Sequence, residues 1–362
     1  MQPLPHPLRF RAEWPVAQEF EHRLQELSEH GALVPKAAHE QAMQALTRAH
    51  AVRGVSVKSM DLRAFGVQAM QTLAWGQWRM HGSKVYMLTP ALRDAFAHSD
   101  VSEVRVDDLD FPHTSLYIGF DPQDDLCLDL GWPVDGAYVL YAPGVSMRIV
   151  LTSRAPQGVP WFDRVGDTYD LRISAQHFGL DMEAAIDAAL ADDLNDLRQA
   201  HAKMVAQGST VPGALQANQT MIDIHLRTRD TLRRVMSLVA NTLCYLSAYP
   251  EDQQTQWLEG APARLVEQSQ SGPPTQVRRA RSKLWALGHT RVTRIGMAFE
   301  PEATQGASKH PHWRRGHWRM QAHGPAHSLR KLLWIHPVRV TRAGMEEPDI
   351  IRVDVPRPTT SP

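Results

Sequence analysis

The residues best suited to chemistry crowd into one run near the C-terminal end, PHWRRGHWRMQAHGPAHSLRKLLWIHP, residues 311–337. It combines His, Arg, Lys and Trp and holds no Asp or Glu. Metal binding is one use of such histidines, but the run has no Cys, and no acid occurs between Ala303 and Gly344. His323 and His327 are four apart with Gly-Pro between them, so they cannot share a helix face, and the neighbouring cations oppose a dication. No metal and no cofactor is expected.

Nucleic acid fits the residue types better. Arginine and lysine seek phosphates, and tryptophan offers a flat face to an unpaired base. The expected contact set is His312, Arg314, Arg315, Gly316, His317, Trp318, Arg319, Arg330 and Lys331. Gly316 would let the backbone approach a phosphate closely. Trp334, between apolar neighbours, reads as core; Trp313 and Trp318 stay open between core and stacking. Two imidazoles beside a guanidinium can also cleave RNA without metal, one taking the 2′-hydroxyl proton and one protonating the leaving oxygen. His312 and His317 beside Arg314 and Arg315 keep a metal-independent ribonuclease as an alternative, and an RNA-binding adaptor or a protein–protein adaptor whose basic end meets an acidic partner as others. No catalytic residue is assigned. No Walker loop, nucleophile elbow, Cys/His cluster or H-E-x-x-H motif occurs elsewhere.

The formal net charge of the 362 residues is zero, which hides a strong asymmetry. Residues 101–196 carry eighteen Asp and Glu against five Lys and Arg, whereas residues 277–342 carry fourteen Lys and Arg against Glu300 and Glu302. Either the two segments neutralise one another within the molecule or each is kept for a partner. Two cysteines, Cys127 and Cys244, are too few for a disulfide framework and suit a reducing cytoplasm. The apolar stretch VMSLVANTLCYLSAY, residues 235–249, is too short and too interrupted to span a membrane and reads as a buried helix.

The elements that must position these groups predict an α+β fold. Residues 1–100 read as helical: Phe20, Leu24, Leu27 and Leu33 fall near one face, and Thr89 with Pro90 opens a short helix. Residues 101–250 begin as an acidic, mainly antiparallel sheet of about five or six strands, taken from SEVRVDD, TSLYIGFD, DLCLDLGW, GAYVLYAP, SMRIVLTS and DTYDLRIS. They continue as helices, with Met182, Ile186, Leu190, Leu194 and Leu197 forming an apolar stripe. Residues 251–280 read as a polar linker, 281–345 as a basic β-rich module with a loop over 301–311, and 346–362 as a disordered tail.

At P-H-x-R-R-G-H-W, here Pro311, His312, Arg314, Arg315, Gly316, His317 and Trp318, the chain resembles a phage-borne anti-CRISPR family, the type V-A inhibitors that block production of the effector nuclease. The likeness continues through a turn at Gly324 and K-x-x-W-x-x-P, with Lys331, Trp334 and Pro337. The resemblance implies a protein of the bacterial cytoplasm that reads the nascent N-terminal peptide of a CRISPR effector and triggers loss of the translating messenger. The implied partners are that peptide and RNA or the ribosome, with no membrane. For a peptide surface the sheet aromatics Tyr117, Trp132, Tyr138 and Tyr141 are nominated, against plain core packing. If Arg314 and Arg315 hold phosphates, Arg314→Ala with Arg315→Ala lowers RNA affinity and flattens its salt dependence by about 0.7 for each phosphate let go. A titration against salt with an unchanged slope excludes them.

Overall fold

Four of the β-branched and aromatic runs between residues 115 and 174 form strands, and the central ones bury both faces. In the computed structural model, residues 4–14, 17–31, 35–52, 54, 62–120, 122, 126–156, 158–159, 168–208, 213–300, 302–306 and 312–342 are described. The proposed tail, residues 346–362, lies outside them, as do Leu33 and the side chains of His312 and Trp313. Strands β1 (Val85–Leu88), β3 (Ser115–Gly119), β4 (Val134–Ala142), β5 (Ser146–Ser153), β6 (Thr168–Ser174), β7 (Gln253–Trp257) and β8 (Arg291–Ile295) make one sheet, ordered β6-β5-β4-β3-β1-β8-β7. Its pairs are antiparallel except β3–β1 and β1–β8, which are parallel.

Because side chains alternate along a strand, each strand feeds two cores. Tyr117, Tyr138 and Val150 point to helices α1 (His6–Glu13), α2 (Ala17–Glu29), α3 (Pro35–Val52) and α4 (Leu62–Met80), where Phe10, Trp14, Phe20, Leu24, Trp75 and Trp78 are buried. Ile118, Val139, Ile149 and Leu171 point the other way, to α5 (Pro90–Ala97), α6 (Met182–Gln207) and α7 (Ala214–Ala248). The architecture is α+β, with a mainly antiparallel sheet between two helical layers. The apolar stretch 235–249 is the buried C-terminal part of α7. No helix among the described residues is long and apolar enough to cross a membrane. Only the first half of the α6 stripe is core: Met182, Ile186 and Leu190 are buried, while Leu194 and Leu197 are half-exposed.

Several expectations are corrected. Val106–Asp108 is a single 3-10 turn, and DLCLDLGW is a turn held by one bridge between Cys127 and Pro133, so neither is a strand. β1 interrupts the segment read as wholly helical. Residues 251–280 are no linker: they hold β7, α8 (Ala263–Gln270) and the start of α9 (Pro274–Ala286). Their polar composition reflects an edge strand and two short surface helices, in which little side-chain area is covered. β8 inserts into the large sheet rather than joining a separate basic module. The supposed loop 301–311 contains β9 (Glu302–Gly306), which pairs with β13 (Val338–Arg342) beside β10 (His312–Arg314).

The N-terminal layer is tied to the sheet by a buried ion pair. Arg9 Nη1 donates to Asp135 Oδ2 at 2.6 Å, and Thr152 Oγ1 donates to Asp135 Oδ1 at 2.9 Å. Burial alone would raise the Asp135 carboxyl; the charge and hydrogen bond of Arg9, with His6 and Arg154 behind it, hold it below the ordinary aspartate range. Its stabilising contribution is therefore complete above the unfolded value of about 3.9 and is lost as pH falls through the depressed folded value. We expect Arg9→Ala, which leaves the buried Asp135 carboxylate with the more distant Arg154 at 3.6 Å as its cation, to cost about 3 kcal/mol in urea unfolding at pH 7. The gap from wild type should narrow in acid; a gap independent of pH would show that Asp135 does not depend on Arg9.

Candidate nucleic-acid interface

The basic run forms a ribbon. β11 (Gly316–His323) and β12 (Leu329–Ile335) pair antiparallel, with Trp318 opposite Trp334, Arg319 opposite Leu333 and Gln321 opposite Lys331. The turn between them begins at Gly324, whose φ of 75° suits glycine, and continues through Ala326 and His327, which also take positive φ. A Cβ at residue 324 would sit 3.0 Å from Leu329 Cδ1.

Alternation decides which residues can meet a partner. Trp318 and Trp334 face inward and stack on each other, ring centroids 5.6 Å apart at 11°. Trp318 is fully buried and its Nε1 donates to Asn241 Oδ1 of α7 at 2.8 Å. Asn241 Nδ2 in turn donates to Ser237 O at 2.9 Å and to Ser99 O at 3.2 Å. Trp334 Nε1 donates to Ser99 Oγ at 3.0 Å, and Phe96 and Phe299 pack near its ring. Ser99 belongs to β2 (Ser99–Asp100), which pairs parallel with the start of β11. Trp334 is core as its neighbours foretold. Trp318, expected among the nucleic-acid contacts, is core as well and offers no face to a base.

Gly316 is also reassigned. It is buried, its N–H donates to His98 O at 2.9 Å, and a Cβ there would lie 2.7 Å from Pro337 and 2.8 Å from Ile335 O. Its missing side chain serves packing within the chain, where no phosphate can approach. The outward face of the ribbon carries His317, Arg319, Gln321, His323 and Lys331, with Leu329, Leu333 and Ile335 between them. Arg319 and Lys331 are diagonal cross-strand neighbours, a spacing of roughly 7–8 Å between Cα atoms. Neither makes an ion pair among the described residues.

Arg330 points to the other face, and its Nη1 donates to His327 O at 2.8 Å, bracing the turn. Arg314 is exposed in the neighbouring strand β10. Arg315 is exposed beside an acidic patch. Burial, then the charge of Asp100, raises the Glu183 carboxyl, and Arg233 and Arg315 oppose that rise. One part of the basic excess thus meets the acidic excess inside the molecule. The imidazole of His312 lies outside the described side chains, so the two-histidine arrangement does too. Among the described residues no three His, Cys, Asp or Glu converge as a metal set.

The four nominated peptide aromatics do not form one surface. Tyr117 and Tyr138 are fully buried under α1, where His6 Nδ1 lies 3.0 Å from the Tyr138 hydroxyl and Thr152 Oγ1 lies 3.0 Å from that of Tyr117. Both are corrected to core: a sheet covered on both faces buries its aromatics whichever way they alternate. Tyr141 is half-buried against the opposite core, stacked on Phe111 at 3.9 Å, and Trp132 is half-buried in the turn before β4. In the sequence Asn241 reads only as a break in the apolar stretch 235–249, and Ser99 carries no signal of its own; an amide in the middle of an apolar helix was the mark of the junction.

Fold and ribbon together define a mixed α+β protein that presents a carboxylate-free basic strand pair. The chain belongs to the anti-CRISPR type V subtype A2 family, whose profile matches residues 86–342, from β1 to the last residue of β13. That membership gives it an anti-CRISPR role. Among solved structures it is similar to one described as the crystal structure of AcrVA2, at 12% identity, with 92% of this chain and 97% of that chain covered and a TM-score of 0.43. No curated protein sequence matches it significantly.

Trp318→Ala should lower unfolding stability by about 3–5 kcal/mol in a denaturant titration, since it opens a cavity and strands Asn241. Trp318→Phe should cost about 1–2 kcal/mol through the unpaired amide alone. Equal stability of both variants and wild type would show that the anchor is not formed.

Proposed function

We propose that this anti-CRISPR protein lowers production of a CRISPR effector nuclease by recognising its nascent N-terminal peptide, in the cytoplasm of a bacterial host, with loss of the translating messenger. The outer face of the β11–β12 ribbon is its contact with ribosomal or messenger RNA. Family membership supports the target class. One observation carries the RNA contact: His317, Arg319, His323 and Lys331 share a face of a strand pair that has no carboxylate of its own, with Asp100 of β2 beside His317 at its edge, and the other face of the pair is bolted to the core. A rigid, positively charged ribbon attracts phosphate at long range and loses that attraction in salt. Arg314 extends the charge along the neighbouring strand, whereas Arg315 is partly committed to the acidic patch.

Sedimentation of lysates from growing cells tests the contact. Wild-type protein should travel with ribosomes, and Arg319→Ala with Lys331→Ala should remain at the top of the gradient while keeping the wild-type unfolding midpoint. Both residues are exposed, so folding is spared. Co-sedimentation of the variant, or absence of the wild type from ribosomes, would overturn the RNA contact. A survival of the complex after nuclease treatment would point instead to an acidic protein partner. The peptide half has its own test: effector messenger should fall when the protein is expressed, and should be spared when the effector start codon is removed.

A further inference from the structure

The ribbon does not exhaust the basic charge. At one edge of the large sheet, β7 and β8 and the α8–α9 hairpin enclose a cavity of about 230 Å³, lined by Thr255, Trp257, Ser269, Gln270, Arg281 and Arg291. Trp257 and Arg291 are directly paired across the strands and so share a face. Gly272, at φ 110°, reverses the chain between the two helices and brings α9 back over the end of α8. There Arg281 Nε donates to Ser269 O at 3.2 Å, which fixes the guanidinium while leaving its two terminal amino groups for another acceptor.

No carboxylate lines the cavity, and neither Arg281 nor Arg291 makes an ion pair among the described residues. Both arginines are exposed at the mouth of the cavity, so an anion seated there would meet two positive charges. Arg278, Arg279 and Lys283 are exposed on the same helix, and α9 has no acid in its thirteen residues. The cavity is smaller than the roughly 300–1,000 Å³ that encloses a whole small-molecule ligand. It suits one unit of a chain that continues outside.

We propose that this cavity is a second nucleic-acid site, which holds one phosphate of single-stranded RNA between Arg281 and Arg291 with the adjoining base against Trp257. The site lies on the large sheet, apart from the three-stranded sheet that carries the ribbon, and goes beyond the ribbon contact. Arginine pairs phosphate oxygens in a planar fork, and an indole stacks on any base, so the site would be tolerant of sequence.

Fluorescence anisotropy of a labelled 12-residue oligouridine, measured on the full chain at several potassium chloride concentrations, tests it. Arg281→Gln with Arg291→Gln should bind about tenfold more weakly, with a salt slope smaller by about 1.4 for the two charges removed. Trp257→Leu should weaken binding about fivefold or more with the slope unchanged. If the double variant is unfolded by circular dichroism, Arg291→Gln alone, at an exposed strand position, gives the same readout for one charge. Wild-type affinity in the Arg291 and Trp257 variants overturns the site, as does an absence of binding by the wild type. Displacement of the oligomer by uridine monophosphate at equal concentration would make it a free-nucleotide site and overturn the RNA assignment. Normal pocket variants beside a defective Arg319/Lys331 variant would sink this site and leave the ribbon standing.

Discussion

The amide of Asn241 governs how the basic end of the chain is held. It sits in the apolar half of α7 with no exposure, and an unpaired carboxamide there would cost one to three kcal/mol or so. All of its capacity that is described goes to one junction: Trp318 donates to its oxygen, and its nitrogen donates to Ser99 and Ser237. Ser99 then accepts from Trp334. Two tryptophans from the ribbon, one strand residue and one helix are thus fixed relative to each other by directional bonds, where apolar packing alone would tolerate sliding. The exposed face inherits its rigidity from that buried one.

Charge follows the same division between inside and outside. Arg9 and Asp135 pair in the interior, Arg148 pairs with Asp170, and Arg233 pairs with Asp187 at the surface. The acidic and basic halves of the chain touch near Arg315, Asp100 and Glu183, so neutralisation within the molecule is real but local. Farther along the ribbon, Arg319 and Lys331, like the cations of α9, make no such ion pair among the described residues. A protein of zero net charge can in this way keep two strongly positive surfaces, because screening confines each field to about 10 Å in ordinary salt.

The N-terminal helices illustrate a different economy. Trp75 and Trp78 are buried, yet their indole N–H groups are satisfied by the carbonyls of Pro7 and Lys84 at 3.0 and 2.8 Å. Trp285 of α9 donates to Glu21 at 2.8 Å, and the guanidinium groups of Arg11 and Arg79 both lie over its ring. The segment read as a linker therefore ends in a helix stapled to α2 and α4 by aromatic, cationic and acidic groups together. This staple and the Arg9–Asp135 pair join the first eighty residues to the sheet, although the family match begins only at residue 86.

Local pattern alone determined much: the helices around Phe20 and Met182, the Thr89 cap, the strands β3 to β6, the buried stretch at 235–249 and the core role of Trp334. Those features depend on neighbours within a few residues, through periodicity, caps and turns. At the P-H-x-R-R-G-H-W run the chain also resembles the family whose profile matches residues 86–342. Which tryptophan would be core and which face basic was beyond it, because that depends on β11 pairing with β2 and meeting α7, contacts separated by 77 residues at Asn241 and more than two hundred at Ser99. Tertiary structure likewise buried Tyr117 and Tyr138, put β8 into the large sheet and turned a polar linker into a cavity. A strand's alternation states that two faces differ; only the partner packed against one of them decides which face meets water.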